Sequence, residues 1–182
     1  VLIIPVLCII SCNSNSKKSS IVNVDVVFQE DSLKFTESQK VFILEVISNS
    51  EEEVRKLLPK LPDSIKVIVE AVDWNLDFVS GVTGRAETNS PPLVLVQISH
   101  NYKGGVIDSA YQGIKSTIFH ELHHLSRGWA IQDNKFSYGI PNAMVNEGLA
   151  VAFTEIYTGN INDVNSYTDV ADNWVKEILA LP

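Results

Sequence analysis

The chain has 182 residues, 45% of them hydrophobic and 20% charged, with a net charge of −8 and a pI near 4.9. That length is enough for one domain with its own core, without disulfides or a structural metal. Lys17-Lys18 is a short basic pair in a chain with 14 Lys and Arg against 22 Asp and Glu, which argues against nucleic acid and an anionic membrane surface as main ligands, since both reward clustered Lys and Arg.

Val1 to Ile10 is almost wholly apolar, and Ser11-Cys12 then opens into the polar run Asn13 to Ser20. An apolar stretch this short cannot span a bilayer but suits a signal peptide. Ending at a cysteine, it resembles a bacterial lipobox, with Cys12 the lipidated residue, 1–12 the remnant of the signal and 13–20 a tether. The chain is expected to begin inside that leader, to sit in the bacterial cell envelope, and to meet the membrane through the N-terminal lipid anchor only. Both cysteines, Cys8 and Cys12, fall in this leader, so the domain expected over 21–182 has neither a disulfide framework nor a thiolate metal site.

Ile21 to Phe28 alternates apolar and polar residues and predicts a strand. Thr36 with Gln39 forms a capping box for a helix through Val41, Leu44 and Ile47. Ser50 with Glu53 predicts a second helix start, and Pro59 a stop. Ile65 to Val72 reads as a second strand and Leu93 to Ile98 as a third; Gly81 to Pro92 between them, with its glycines and prolines, reads as loop. Asp108, after the pair Gly104-Gly105, is placed to cap the next helix. Ala143 to Tyr157 predicts a later helix, with Leu149, Ala152, Phe153 and Ile156 facing a core and Gly159 as its stop. The amphipathic run Val170, Trp174, Ile178 and Leu181 reaches the last residues, and the domain is expected to continue past Pro182. Strands and helices in this order predict an α+β domain with a small mixed sheet.

His120-Glu121-Leu122-His123-His124 carries the chemistry. On a helix, residues four apart lie on one face about one turn apart, so the His120 and His124 imidazoles can meet at one metal ion. Glu121 sits beside that face, where its carboxylate can take a proton from water activated by the metal. Tyr111, Ile114, Ile118, Leu122 and Leu125 form an apolar stripe on the opposite side, expected to pack on the sheet. Ser116 and Thr117 fall one turn before the histidines, on the face that opens into a cleft. His123 lies off the metal face and is expected to support the site from behind the ligands or to be structural, not to bind the metal.

Catalytic zinc usually takes three protein ligands and leaves a fourth position to water. The cysteines are excluded, and His100 lies before the helix across a glycine turn. Glu147, in Asn146-Glu147-Gly148-Leu149-Ala150, is the best third ligand if its helix packs beside the histidine helix. A glutamate early in a helix also serves simply as a favourable charge near the helix N-terminus, and that reading stands beside the first. Tyr157, Tyr138, Tyr102 and His100 are candidate donors to the oxyanion of an acyl-transfer step. Leu93 to Ser99 is either an edge strand able to pair with extended substrate or an ordinary central strand.

His-Glu-Leu-His-His followed by Asn-Glu-Gly-Leu-Ala resembles the gluzincins, zinc peptidases that use two histidines and a downstream glutamate. The Asn-Glu-Gly-x-Ala segment is similar to the one that carries the third ligand in the aminopeptidase N group. The small size and layout also resemble a bacterial family of predicted zinc-dependent proteases known as a domain of unknown function. The resemblance covers about Ile114 to Gly159. It implies a zincin-like fold with an active-site helix and a second ligand-bearing helix. It also implies Zn2+ on His120, His124 and Glu147, Glu121 as general base, and a peptide or protein substrate. Two departures matter. The Gly-x-Met-Glu-Asn segment that grips a free amino terminus is missing, so exopeptidase specificity is not implied. Val151 stands where many gluzincins carry an aspartate that orients a zinc histidine, leaving Asp133 or Glu155 to serve. The competing expectations are an inactive zincin-like lipoprotein that acts as a binding or assembly module, and a zinc hydrolase of non-peptide amides or esters.

Overall fold

The computed structural model describes residues 23–30 and 32–160. The expected leader with Cys12, the tether and the amphipathic run after Asn160 lie outside the described residues. Within them the order is β1 (Val24–Gln29), α1 (Glu37–Leu57), β2 (Ile65–Val72), a 3-10 turn (Asp77–Val79), β3 (Val82–Asn89) and β4 (Pro92–Ser99). There follow α2 (Gly105–Ser109), a π-helical turn (Ala110–Ile114), α3 (Lys115–Arg127) and α4 (Ile140–Thr158). No helix among the described residues is long and apolar enough to cross a membrane.

The four strands form one mixed sheet in the order β1-β2-β4-β3. β1, β2 and β4 run parallel, joined through Val26–Val67 and Val67–Val94 as register partners. β3 pairs antiparallel with β4, Gly84 opposite Val96, with a bulge between Ala86 and Thr88. The β1-α1-β2 crossover places α1 on one face of the sheet, and α3 packs against α1, β3 and β4 on that same face. Side chains alternate accordingly: Ile65, Val67 and Val69 are fully buried, whereas Lys66 on the other face is exposed. Ile43, Ile47 and Val54 of α1 and Ile114, Ile118, Phe119 and Leu122 of the α3 region close the core against them. Each large aliphatic side chain so buried stabilises the fold by about 1.5–3 kcal/mol before entropy is charged.

The Thr36 capping box is present, with the Thr36 hydroxyl accepting from Gln39 N and the Gln39 side chain accepting from Thr36 N. The second helix start is corrected: α1 runs unbroken through Ser50, whose hydroxyl donates back to the Val46 carbonyl at 2.6 Å instead of capping a new helix. The loop expected over Gly81 to Pro92 is corrected as well, because most of it is β3. Gly81, with φ +80°, makes the entry turn, and the prolines lie at the tight β3–β4 connection. Gly84, read as a turn residue, instead marks a close approach of α3 to the strand. Asp108 is not a cap position, since the helix has begun at Gly105.

Candidate metal centre

The motif helix is positioned by its apolar side. Ile114, Ile118, Leu122 and Leu125 are buried as the stripe requires, but Tyr111 is 68% exposed, because the π-helical turn that contains it breaks the helical register ahead of α3. Gly128, with φ +82°, closes the helix in the left-handed conformation, and Trp129 N–H bonds back to the His124 carbonyl at 3.0 Å. α4 follows Gly139 as its N-cap, carries a proline in its first turn and packs beside α3. Its start at Ile140 puts Glu147 two turns inside the helix, beyond the first turn where a carboxylate interacts with the helix dipole. The simpler reading of Glu147 as a terminal charge is thereby removed.

The expected inner face of α4 is also corrected. Leu149, Ala152 and Ile156 are exposed, and the buried residues are Asn146, Ala150 and Thr154, with Phe153 half-buried against the core. Asn146 ties the two helices together: its Oδ1 accepts from Arg127 Nε at 3.1 Å, and its Nδ2 donates to the Asn142 carbonyl at 2.8 Å. The neighbouring Glu147 is thereby aimed at the histidine face of α3.

His120 Nε2 and His124 Nε2 lie 3.0 Å apart, and Glu147 Oε2 lies 3.2 Å from the first and 3.1 Å from the second. Ligand atoms of the three residues fall within 4.8 Å of one another. Burial opposes ionisation of Glu147, but hydrogen bonding to His120 and His124, with help from Trp129, outweighs it and holds the carboxyl well below the usual carboxylate range. Two imidazole nitrogens and one carboxylate oxygen facing a common point are a donor set suited to a divalent metal such as zinc. Glu121 is buried beside them, its Oε2 accepting from Ala86 N at 2.8 Å. Burial pushes its carboxyl above the ordinary value, against the pull of His120, His124 and the Ala86 N–H.

A cleft of about 480 Å³ opens over these residues, lined on one side by Val82 to Ala86 of β3 and on the other by Ser116, Thr117, His120, His124, Trp129 and Glu147. β3 is a sheet edge; β4, for which an edge position was one expectation, is central, paired on both sides. Ala86 turns its N–H away from β4 to Glu121, and its carbonyl to Ile131 N at 3.0 Å. By the two-residue period of an antiparallel ladder, Val82 and Gly84 turn theirs the same way, toward the cleft. Among the described residues no strand pairs with β3 on this side; Val82 is buried, Gly84 is half-buried and lines the cleft, and the segment after Trp129 closes the edge at Ala86.

Of the candidate oxyanion donors, Tyr138 lines the cleft, its hydroxyl 3.2 Å from the Ile131 carbonyl. Tyr157 stacks on Phe153 at 4.9 Å near the end of α4, and His100 stacks on Phe35 at 5.8 Å; neither lines the cleft, and nor does Tyr102. Asp133 is spent elsewhere, its carboxylate accepting from Asn89 N at 2.6 Å and Ser90 N at 3.0 Å at the β3–β4 turn. Nδ1 of His124 is buried without a hydrogen-bond partner among the described residues. His123 packs on Phe153 at 5.3 Å, and burial, with His124 and Arg127 beside it, drives its pKa down to about 4. It is a neutral packing residue, as its place off the metal face suggested.

Sequence reasoning missed Trp129, Gly84 and Ala86. The last two were hidden by reading Gly84 as a loop signal, although the alternating Val-Thr-Gly-Arg-Ala-Glu run before Asn-Ser-Pro-Pro has the form of a hairpin arm. Trp129 carried the weaker signal of an aromatic directly after a helix-ending glycine.

Two helices side by side on a small mixed sheet, sharing two histidines and a glutamate over a cleft, define a candidate metal-binding protein of mixed α/β class. Residues 93–180 match the model of the family described as predicted Zn-dependent protease (DUF2268). The match agrees with the resemblance to a family of predicted zinc-dependent proteases, over a stretch that takes in most of β4 and all of α3 and α4. Neither the curated proteins nor the solved structures hold a match to the chain.

Proposed function

We propose that the chain is a zincin-like, zinc-dependent hydrolase, most simply a peptidase, with His120, His124 and Glu147 as metal ligands and Glu121 as general base. The observation that carries the reading is the convergence of His120 Nε2, His124 Nε2 and Glu147 Oε2 beside the buried Glu121 carboxylate. Zinc, when bound, supplies the Lewis acidity that lowers the pKa of water and polarises a carbonyl. Glu121 is divided between two jobs. Its Oε2 is anchored on the Ala86 N–H, which leaves Oε1 to accept the proton of the attacking water and pass it to the leaving amine. Burial raises the proton affinity of that carboxylate, which suits a base working near neutral pH. The β3 edge at Gly84, which lines the cleft, offers an extended peptide backbone hydrogen-bonding groups.

The second reading, a metal-binding module without hydrolytic activity, is favoured by one observation. His124 Nδ1 has no partner among the described residues, and Val151 offers none, whereas zinc histidines usually donate that N–H to an acceptor. Hydrolysis of an unfolded protein by the zinc-loaded chain separates the two. The hydrolase reading expects cleavage that falls about 10²–10⁴-fold in Glu121→Gln while zinc is retained. Cleavage by Glu121→Gln at the wild-type rate removes Glu121 as base, and a zinc-loaded wild type that cleaves nothing makes the second reading the better one.

A further inference from the structure

We propose that Trp129 is a positioning residue for the metal centre, its indole N–H holding one carboxylate oxygen of Glu147 so that the other alone is presented to the metal. The inference rests on the ligand set proposed above. Trp129 Nε1 donates to Glu147 Oε1 at 2.9 Å, while Oε2 of the same carboxylate faces both histidines at 3.1 and 3.2 Å. An indole N–H is a donor only, so it can satisfy a carboxylate oxygen but cannot compete for the metal.

Glu147 needs such a partner. Its side chain is 47% exposed, in contrast to the 13% and 5% of His120 and His124, and a glutamate left free loses rotamer entropy when it is ordered. A free carboxylate can also swing to grip a metal through both oxygens, which would take the position left for water. A bond to one oxygen opposes both outcomes.

Trp129 is itself held from several sides. Gly128 ends α3 in the left-handed conformation, and Trp129 N–H is bonded to the His124 carbonyl. Ala130 is buried, Ile131 N–H is bonded to the Ala86 carbonyl on β3, and the Trp129 ring meets Phe136 edge-on with centroids 6.0 Å apart. The backbone turn that ends the helix of one ligand, His124, therefore fixes the group that orients the ligand from the other helix. Trp129 also lines the cleft, so its ring walls the site while its N–H serves the carboxylate.

The test is the zinc affinity of Trp129→Phe, measured by competition with a chelator, together with the visible spectrum of the cobalt-substituted protein. Phenylalanine keeps an aromatic wall and removes the donor. The expected result is a loss of about 10–100-fold in zinc affinity, the range for removing a hydrogen-bond partner of a metal ligand. The cobalt bands should weaken toward those of a higher coordination number as Glu147 becomes free to bind through both oxygens. Should the phenylalanine variant fold poorly, benzothienylalanine placed at 129, with sulfur in place of N–H and the same ring shape, must give the same loss. Tight and equal zinc binding by wild type and variant, with an unchanged cobalt spectrum, overturns the role of Trp129 and leaves the ligand set standing. A wild type that binds no zinc overturns both.

Discussion

Gly84 lets the sheet and the motif helix approach closely. A Cβ there would meet Thr117 Cγ2 well inside contact distance and Glu121 Cγ at 3.1 Å, with the Leu95 carbonyl at 3.2 Å behind it. Thr117 is β-branched and stiff on its helix, so α3 rather than a side chain would have to give way. Gly84→Ala is therefore expected to cost about 1–3 kcal/mol of stability, and to move Glu121 off the Ala86 N–H, so that hydrolysis falls more than zinc binding does. Denaturant melts and metal content, read side by side, check this; a variant with wild-type stability and rate would show that the approach is looser than described. At this scale the chemistry was legible. His120, Glu121, His124 and Glu147, which the structure brings together, stood out because metal coordination and proton transfer favour those residue types at that spacing. Gly84 was misread, because a glycine that permits a turn and one that permits close contact look alike in a sequence.

Among the elements, the pairing of α3 with α4 decides whether the ligands meet. Asn146 is 1% exposed and is the polar link between them, through Arg127 on α3 and Asn142 on its own helix. Removing it in Asn146→Ala leaves the Asn142 carbonyl and Arg127 to find water, at an expected cost of about 1–2 kcal/mol, measurable as a lower urea midpoint with an unchanged slope. An unaltered midpoint would mean that the link adds nothing to the packing of α3 on α4. The elements themselves were unevenly legible. The Thr36 capping box and the Ile65–Val72 strand were read correctly, because a cap and a buried alternating run are local signals. The second start at Ser50 failed because helix continuity from Ile47 to Val54 is decided by core packing, which outweighs a local cap. The inner face of α4 failed for a related reason: most of its residues are apolar, so periodicity alone could not choose a side, and burial fell on Asn146, Ala150 and Thr154.

For the molecule as a whole, the sheet order β1-β2-β4-β3 leaves β3 at an edge beneath α3 among the described residues, and the candidate metal site of His120, His124 and Glu147 opens above that edge. A mixture of strands and helices around one small mixed sheet was legible from the succession of elements, whereas the edge position of β3 was not, since strand order depends on pairings distant in sequence. What the architecture contributes is the meeting of three candidate ligands, His120, His124 and Glu147, drawn from two helices whose motifs lie more than twenty residues apart. That meeting is the central claim, and zinc content tests it most directly. Purified wild type, dialysed against excess zinc and then against metal-free buffer, is expected to retain about one zinc per chain by elemental analysis. His124→Ala and Glu147→Ala, carried through the same dialysis and shown to be folded, are expected to retain almost none. A wild type without zinc, or folded variants that keep a full equivalent, would contradict the account.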